Sequence, residues 1–106
     1  MAHNDQELYE RYKRYILLEQ GLSANTREAY HHDVERFMEW CSDEGIGIKE
    51  VNISRLHRYT EALYDMGIAV SSIARMLCGV RSLYRFLQLD GEIEQDPSEL
   101  LESPRQ

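Results

Sequence analysis

Both prolines of this chain, Pro97 and Pro104, fall in its last ten residues. The preceding 96 positions therefore contain nothing that removes a helical N–H or clashes with the carbonyl four residues back. Apolar residues recur at helical spacing through much of that span, and strand-like alternation is not sustained anywhere. The sequence predicts an all-α chain of four helices, packed as a bundle or an orthogonal array.

Local punctuation sets the predicted bounds. The first helix is expected over Asp5–Gln20, with Leu8, Tyr12, Tyr15 and Ile16 inward and Gly21 as the residue that ends it. Ser23 is a good N-cap for a second helix over Ala24–Asp43, whose inward stripe is Tyr30, Val34, Phe37, Met38 and Cys41. Gly45 and Gly47 mark a loop. Asn52 caps a third helix, Ile53–Met66, with Leu56, Tyr59, Leu63 and Met66 inward and Gly67 as its stop. A fourth helix spans Ser71–Leu89, burying Ile73, Leu77, Val80, Tyr84 and Leu87, and Gly91 ends it. Asp96-Pro97-Ser98-Glu99 has capping-box order but opens only a short turn through Leu101. Residues 1–101 read as one domain, and 102–106 as the start of a linker in a longer protein.

The net charge of −7 argues against a polyanionic partner at first sight. Its distribution weakens that objection. Residues 90–102 hold six of the acids and no Lys or Arg, whereas Met66–Leu89 has no Asp or Glu and carries Arg75, Arg81 and Arg85. Local sign decides contact, because screening acts over about 8–10 Å. On a helical wheel Ser72, Arg75, Gly79 and Ser82 lie within about 80° of one another, at roughly 100° per residue. That is a cationic, small-residue face on which a backbone can approach phosphates, and Arg offers forked donors to phosphate oxygens or a guanine edge. A solvated face with arginines chosen for helix propensity explains the same pattern. The start of the second helix, Ser23-Ala24-Asn25-Thr26-Arg27, offers free N–H groups suited to an anion; a capped helix start with nothing bound fits equally.

Other chemistry is thin. His31 and His32 are adjacent, so they diverge by about 100° and cannot share a metal. Neither His57-Arg58-Tyr59 nor His32-Asp33-Val34 supplies the step a phosphotransfer bundle needs. No nucleophile–base set or Gly-rich phosphate loop stands out, so no catalytic residue, cofactor or metal is expected. Cys41 and Cys78 are expected as reduced, largely buried thiols. No apolar run is long enough to cross a membrane. The opening MAHNDQELYERYKRY does not read as a secretory signal, and a cytoplasmic location is expected.

The assembled residues resemble a known family. Gly21-Leu22-Ser23-Ala24-Asn25-Thr26, then Ala29-Tyr30, Asp33-Val34 and Phe37, are similar to the opening of Xer-type tyrosine recombinases and phage integrases. Residues 72–87, SIARMLCGVRSLYRFL, resemble their SI-x-R-x-L helix, and Asp96-Pro97-Ser98-Glu99-Leu100-Leu101 resembles their link into a catalytic domain. The resemblance implies a four-helix orthogonal bundle, the SAM-like integrase N-terminal domain, forming half of a clamp on double-stranded DNA. It implies that the second and fourth helices face the major groove of a recombination half-site, and that the first helix meets a neighbouring protomer in a synaptic tetramer. The catalytic set lies in a following domain, so this chain alone is expected to be a monomer without strand-transfer activity. Carried over by position, the implied contacts are Asn25, Thr26, Arg27, Tyr30, Ser72, Arg75 and Arg81, with Thr26 and Ser72 donating to phosphates and Arg81 alternatively structural. Gly79 departs from the family's usual Ala. Glycine inside a helix costs about 1 kcal/mol unless a close approach needs it. The competing reading is a helical protein-interaction domain whose Arg75, Arg81 and Arg85 meet an acidic partner.

Overall fold

The computed structural model describes residues 4–19 and 21–101. It contains α1 (Asp5–Leu17), α2 (Ala24–Asp43), α3 (Ile53–Asp65) and α4 (Val70–Leu89), with one 3-10 turn at Ile48–Glu50. There is no strand among the described residues.

Caps fix most helix starts. Asn4, Ser23 and Asn52 each accept the backbone N–H three residues on, from Glu7, Thr26 and Arg55 at 2.8, 3.1 and 2.9 Å. α4 begins after Ala69 with no side-chain cap. The C-terminus of α3 closes as a Schellman motif: Gly67 N–H reaches Tyr64 O at 2.9 Å and Ile68 N–H reaches Leu63 O at 3.2 Å. Gly67 takes φ +82°, a left-handed conformation that a Cβ disfavours. α2 and α4 stop the same way, at Gly45 and Gly91. α1 does not. Its C-cap is Leu18, so Gly21 sits in the following turn, and the expected end at Gln20 lies outside the described residues.

α4 packs against each of the other helices, most extensively α2. It buries Ile73, Met76, Leu77, Val80, Leu83, Tyr84, Phe86 and Leu87, far more than one stripe. The expected inward residues of the other helices are mostly buried, with Tyr15, Tyr30 and Met38 half-buried at the margin. Met66 is a correction: it is the C-cap of α3, still helical in conformation, but it stands 67% exposed at the helix end.

Polar groups knit the helices together. The Tyr84 hydroxyl donates to Ile48 O at 2.7 Å, pinning the 3-10 turn to α4. Tyr12 donates to Ser82 Oγ at 3.1 Å, joining α1 to α4. The acidic segment after α4 is partly drawn in against the fold. Arg11 of α1 pairs with Asp90 and, at 3.4 Å, with Glu92, which Lys49 also reaches at 3.4 Å. Asp96 accepts from Ser98 N–H at 2.8 Å and shapes the short final turn.

Candidate nucleic-acid interface

The acid-free helix meets α2 through Gly79. A Cβ at this position would stand 2.9 Å from Asp33 Cβ. The close approach that the helix-interior glycine requires is therefore to α2. This corrects the expected cationic, small-residue face. Gly79 is buried under Asp33 and so closed to a phosphate, and Ser82 is half-buried against Tyr12.

Arg75 remains on that face. Its side chain is 51% exposed while its Nη1 lies 2.8 Å from Asp33 Oδ2. A guanidinium has five N–H donors, so the bond to Asp33 engages only part of its donor set. Asp33 itself is only 4% exposed. Burial pushes its carboxyl pKa up, and the adjacent Arg75 partly offsets this. Asp33 belongs to the motif that begins at the start of α2, but nothing local in the sequence marks it as a partner of Arg75. The available signal was a mid-helix glycine demanding a close neighbour.

Arg81 is half-buried and donates to Leu101 O, so it anchors the chain's exit from the helix. It also lines a groove of 350 Å³ with Tyr15, Tyr30, Cys78, Ser82 and Arg85, between α1, α2 and α4. The groove brings together two of the sequence-derived candidates, Tyr30 and Arg81. Burial raises the Tyr30 hydroxyl pKa, keeping it a donor. Arg85 is exposed at the groove. Cys78 is exposed too, which corrects the expectation of two buried thiols. It lies one position off the buried Leu77, at the open groove between α1, α2 and α4. Cys41 is fully buried, and desolvation pushes its thiol up to about 12.

At the start of α2, Ser23 Oγ donates to Thr26 Oγ1 at 2.9 Å, which leaves the Thr26 proton free to donate outward. Arg27 Nη1 folds back on Leu22 O at 3.0 Å and braces the turn into α2. Asn25 is exposed and Ser72 half-buried. No group of three metal-ligating side chains occurs among the described residues, and no helix there is long and apolar enough to cross a membrane.

Comparison with known proteins agrees with this architecture. The family model described as "Phage integrase, N-terminal SAM-like domain" matches residues 9–91. Tyrosine recombinase XerD of Pseudomonas aeruginosa is 30% identical over 99% of the chain and 35% of its own length. XerD of Proteus mirabilis is 33% identical over 96% of the chain and 34% of its length. XerC of Pseudomonas fluorescens is 33% identical over 89% of the chain and 32% of its length. The chain thus spans about a third of these curated relatives. The match runs from the middle of α1 to the glycine that ends α4, and by that measure the chain belongs to the phage integrase N-terminal SAM-like domain family.

Proposed function

We propose that this chain is the DNA-binding half of a site-specific tyrosine recombinase, engaging a duplex half-site through α2 and α4. Residues 102–106 then begin the link to a catalytic domain, and the other protomers of a synaptic tetramer are its protein partners. The observation that carries the reading is the acid-free α4. It presents Arg75 half-open and Arg85 exposed, while Asp33, the carboxylate of α2 bonded to Arg75, is buried. The relatives' names as tyrosine recombinases, and their roughly threefold greater length, supply the context.

The binding is expected to be weak and salt-sensitive, given the net charge of −7. A chain neutralising about three phosphates gives a log–log salt slope near −3 on duplex DNA. Fluorescence anisotropy on a labelled mixed-sequence duplex measures it, and Arg75→Glu should weaken binding severalfold. A slope near zero, or unchanged binding in Arg75→Glu, transfers the reading to an acidic protein partner. Cleavage needs a nucleophile at the scissile phosphate and cations on its non-bridging oxygens. A suicide duplex should therefore trap a covalent adduct with the full-length protein and none with residues 1–106. An adduct on this chain alone contradicts its role as a binding half.

A further inference from the structure

Asp33 is the only acid buried among the described residues. Its place beneath α4 exists because Gly79 has no side chain: a Cβ there would lie 2.9 Å from Asp33 Cβ and 3.3 Å from Oδ2. Its hydrogen-bond partner is Arg75, one turn earlier on α4, at 2.8 Å. As a device for stability this arrangement is poor. A buried carboxylate is costly to desolvate, and an apolar side chain of similar volume often serves the fold as well or better. The glycine adds a helix-propensity cost. What the arrangement does achieve is a surface guanidinium whose plane is set from below. Asp33 engages one Nη1 donor, and the Arg75 side chain, with five N–H donors in all, is half open to solvent.

We propose that Asp33 is a positioning residue for DNA contact: it orients the Arg75 guanidinium before DNA arrives, and Gly79 is the vacancy that admits it. The inference rests on the DNA-binding reading. Its physical basis is preorganisation, since an arginine already held in one plane loses less rotamer freedom on meeting a phosphate or base edge. Two plainer roles make different predictions. If Asp33 acts on DNA only as a nearby negative charge, its removal tightens binding whatever occupies position 75. If it only supports the fold, its loss and that of Arg75 act independently.

A double-mutant cycle separates these roles. Wild type, Asp33→Asn, Arg75→Ala and the double variant are titrated with a labelled mixed-sequence duplex, each first shown to be folded by a cooperative thermal melt. Arg75→Ala should weaken wild-type binding by about fivefold to tenfold, the low end for one arginine contact. In the Asp33→Asn background the same change should cost less than about twofold. Asp33→Glu keeps the charge but misplaces it by one methylene, and should behave like Asp33→Asn; it replaces that variant if Asp33→Asn does not fold. The coupling in DNA affinity is the readout that a purely structural role would not move, and nitrogen NMR of the arginine side chains tests the orienting contact itself. The Arg75 Nε–Hε signal should report restricted rotation in wild type and averaging in either Asp33 variant. An equal cost of Arg75→Ala in both backgrounds overturns the proposal, as does an unchanged Arg75 signal. A wild-type chain without salt-dependent duplex binding overturns the DNA reading, and this inference with it.

Discussion

Gly79 sets two physical preferences against each other. Alanine is the better helix former by about 1 kcal/mol, so on an open helix Gly→Ala is stabilising. Here the new Cβ would meet Asp33 Cβ at 2.9 Å, close to the α2 backbone and without a flexible end to give way. Overpacking of this kind costs about 1–3 kcal/mol. Gly79→Ala should therefore lower the melting temperature by several degrees, measurable by circular dichroism; an increase would mean that α2 can retreat freely. The two cysteines make a second residue-scale contrast. Cys78 is exposed and Cys41 is fully buried, with its thiol pushed up to about 12 by desolvation. A thiol reagent at neutral pH should modify one cysteine rapidly and the other only at the rate of unfolding. Replacing Cys78 with Ser should abolish the rapid phase.

Among the helices, α4 is the central packing element and has no N-cap side chain. Ala69 has φ −62° and ψ 144°, the extended geometry that a capping serine adopts. Ala69→Ser should raise stability by about 0.5–1 kcal/mol, read as a higher denaturation midpoint with unchanged slope. The helices themselves were legible in the sequence because their signals are local. Ser23 and Asn52 cap as expected, and α2 occupies the anticipated residues, Ala24–Asp43. The opposite partner of each face was not legible. A glycine on a wheel beside Arg75 and Ser72 reads as an open cationic strip until α2 is laid across it. Ile48 is fully buried in a three-residue turn too short to show a period. Arg81 could be read as contact or support, and its bond to Leu101 O lies across a turn whose path the spacing does not give. In the candidate site the residue types were legible, whereas the Asp33–Arg75 pairing across 42 positions was not.

At the scale of the whole molecule, the core is rich in tyrosine. Tyr9, Tyr12, Tyr59 and Tyr84 are all buried, and desolvation raises the pKa of each above the ordinary phenol value. In the unfolded chain these hydroxyls ionise near 10. Above that pH the native state holds more protons than the unfolded one, so stability falls as pH rises. Each tyrosine contributes a slope of up to about 1.4 kcal/mol per pH unit. Alkaline titration should therefore show tyrosinate absorbance from these residues appearing together with loss of helix, as one cooperative step. Gradual ionisation of all the tyrosines with the helices intact would contradict this. The same assembly joins distant parts of the chain, because Arg11 of α1 is held by Asp90 and Glu92, up to 81 positions away. A ribosome makes α1 first. The residues that fasten it, Ser82, Asp90 and Glu92, are among the last of the domain to emerge. During synthesis the earliest helix can meet Glu35 of α2 and Ile48 well before that, but its docking is complete only when nearly the whole domain has been released.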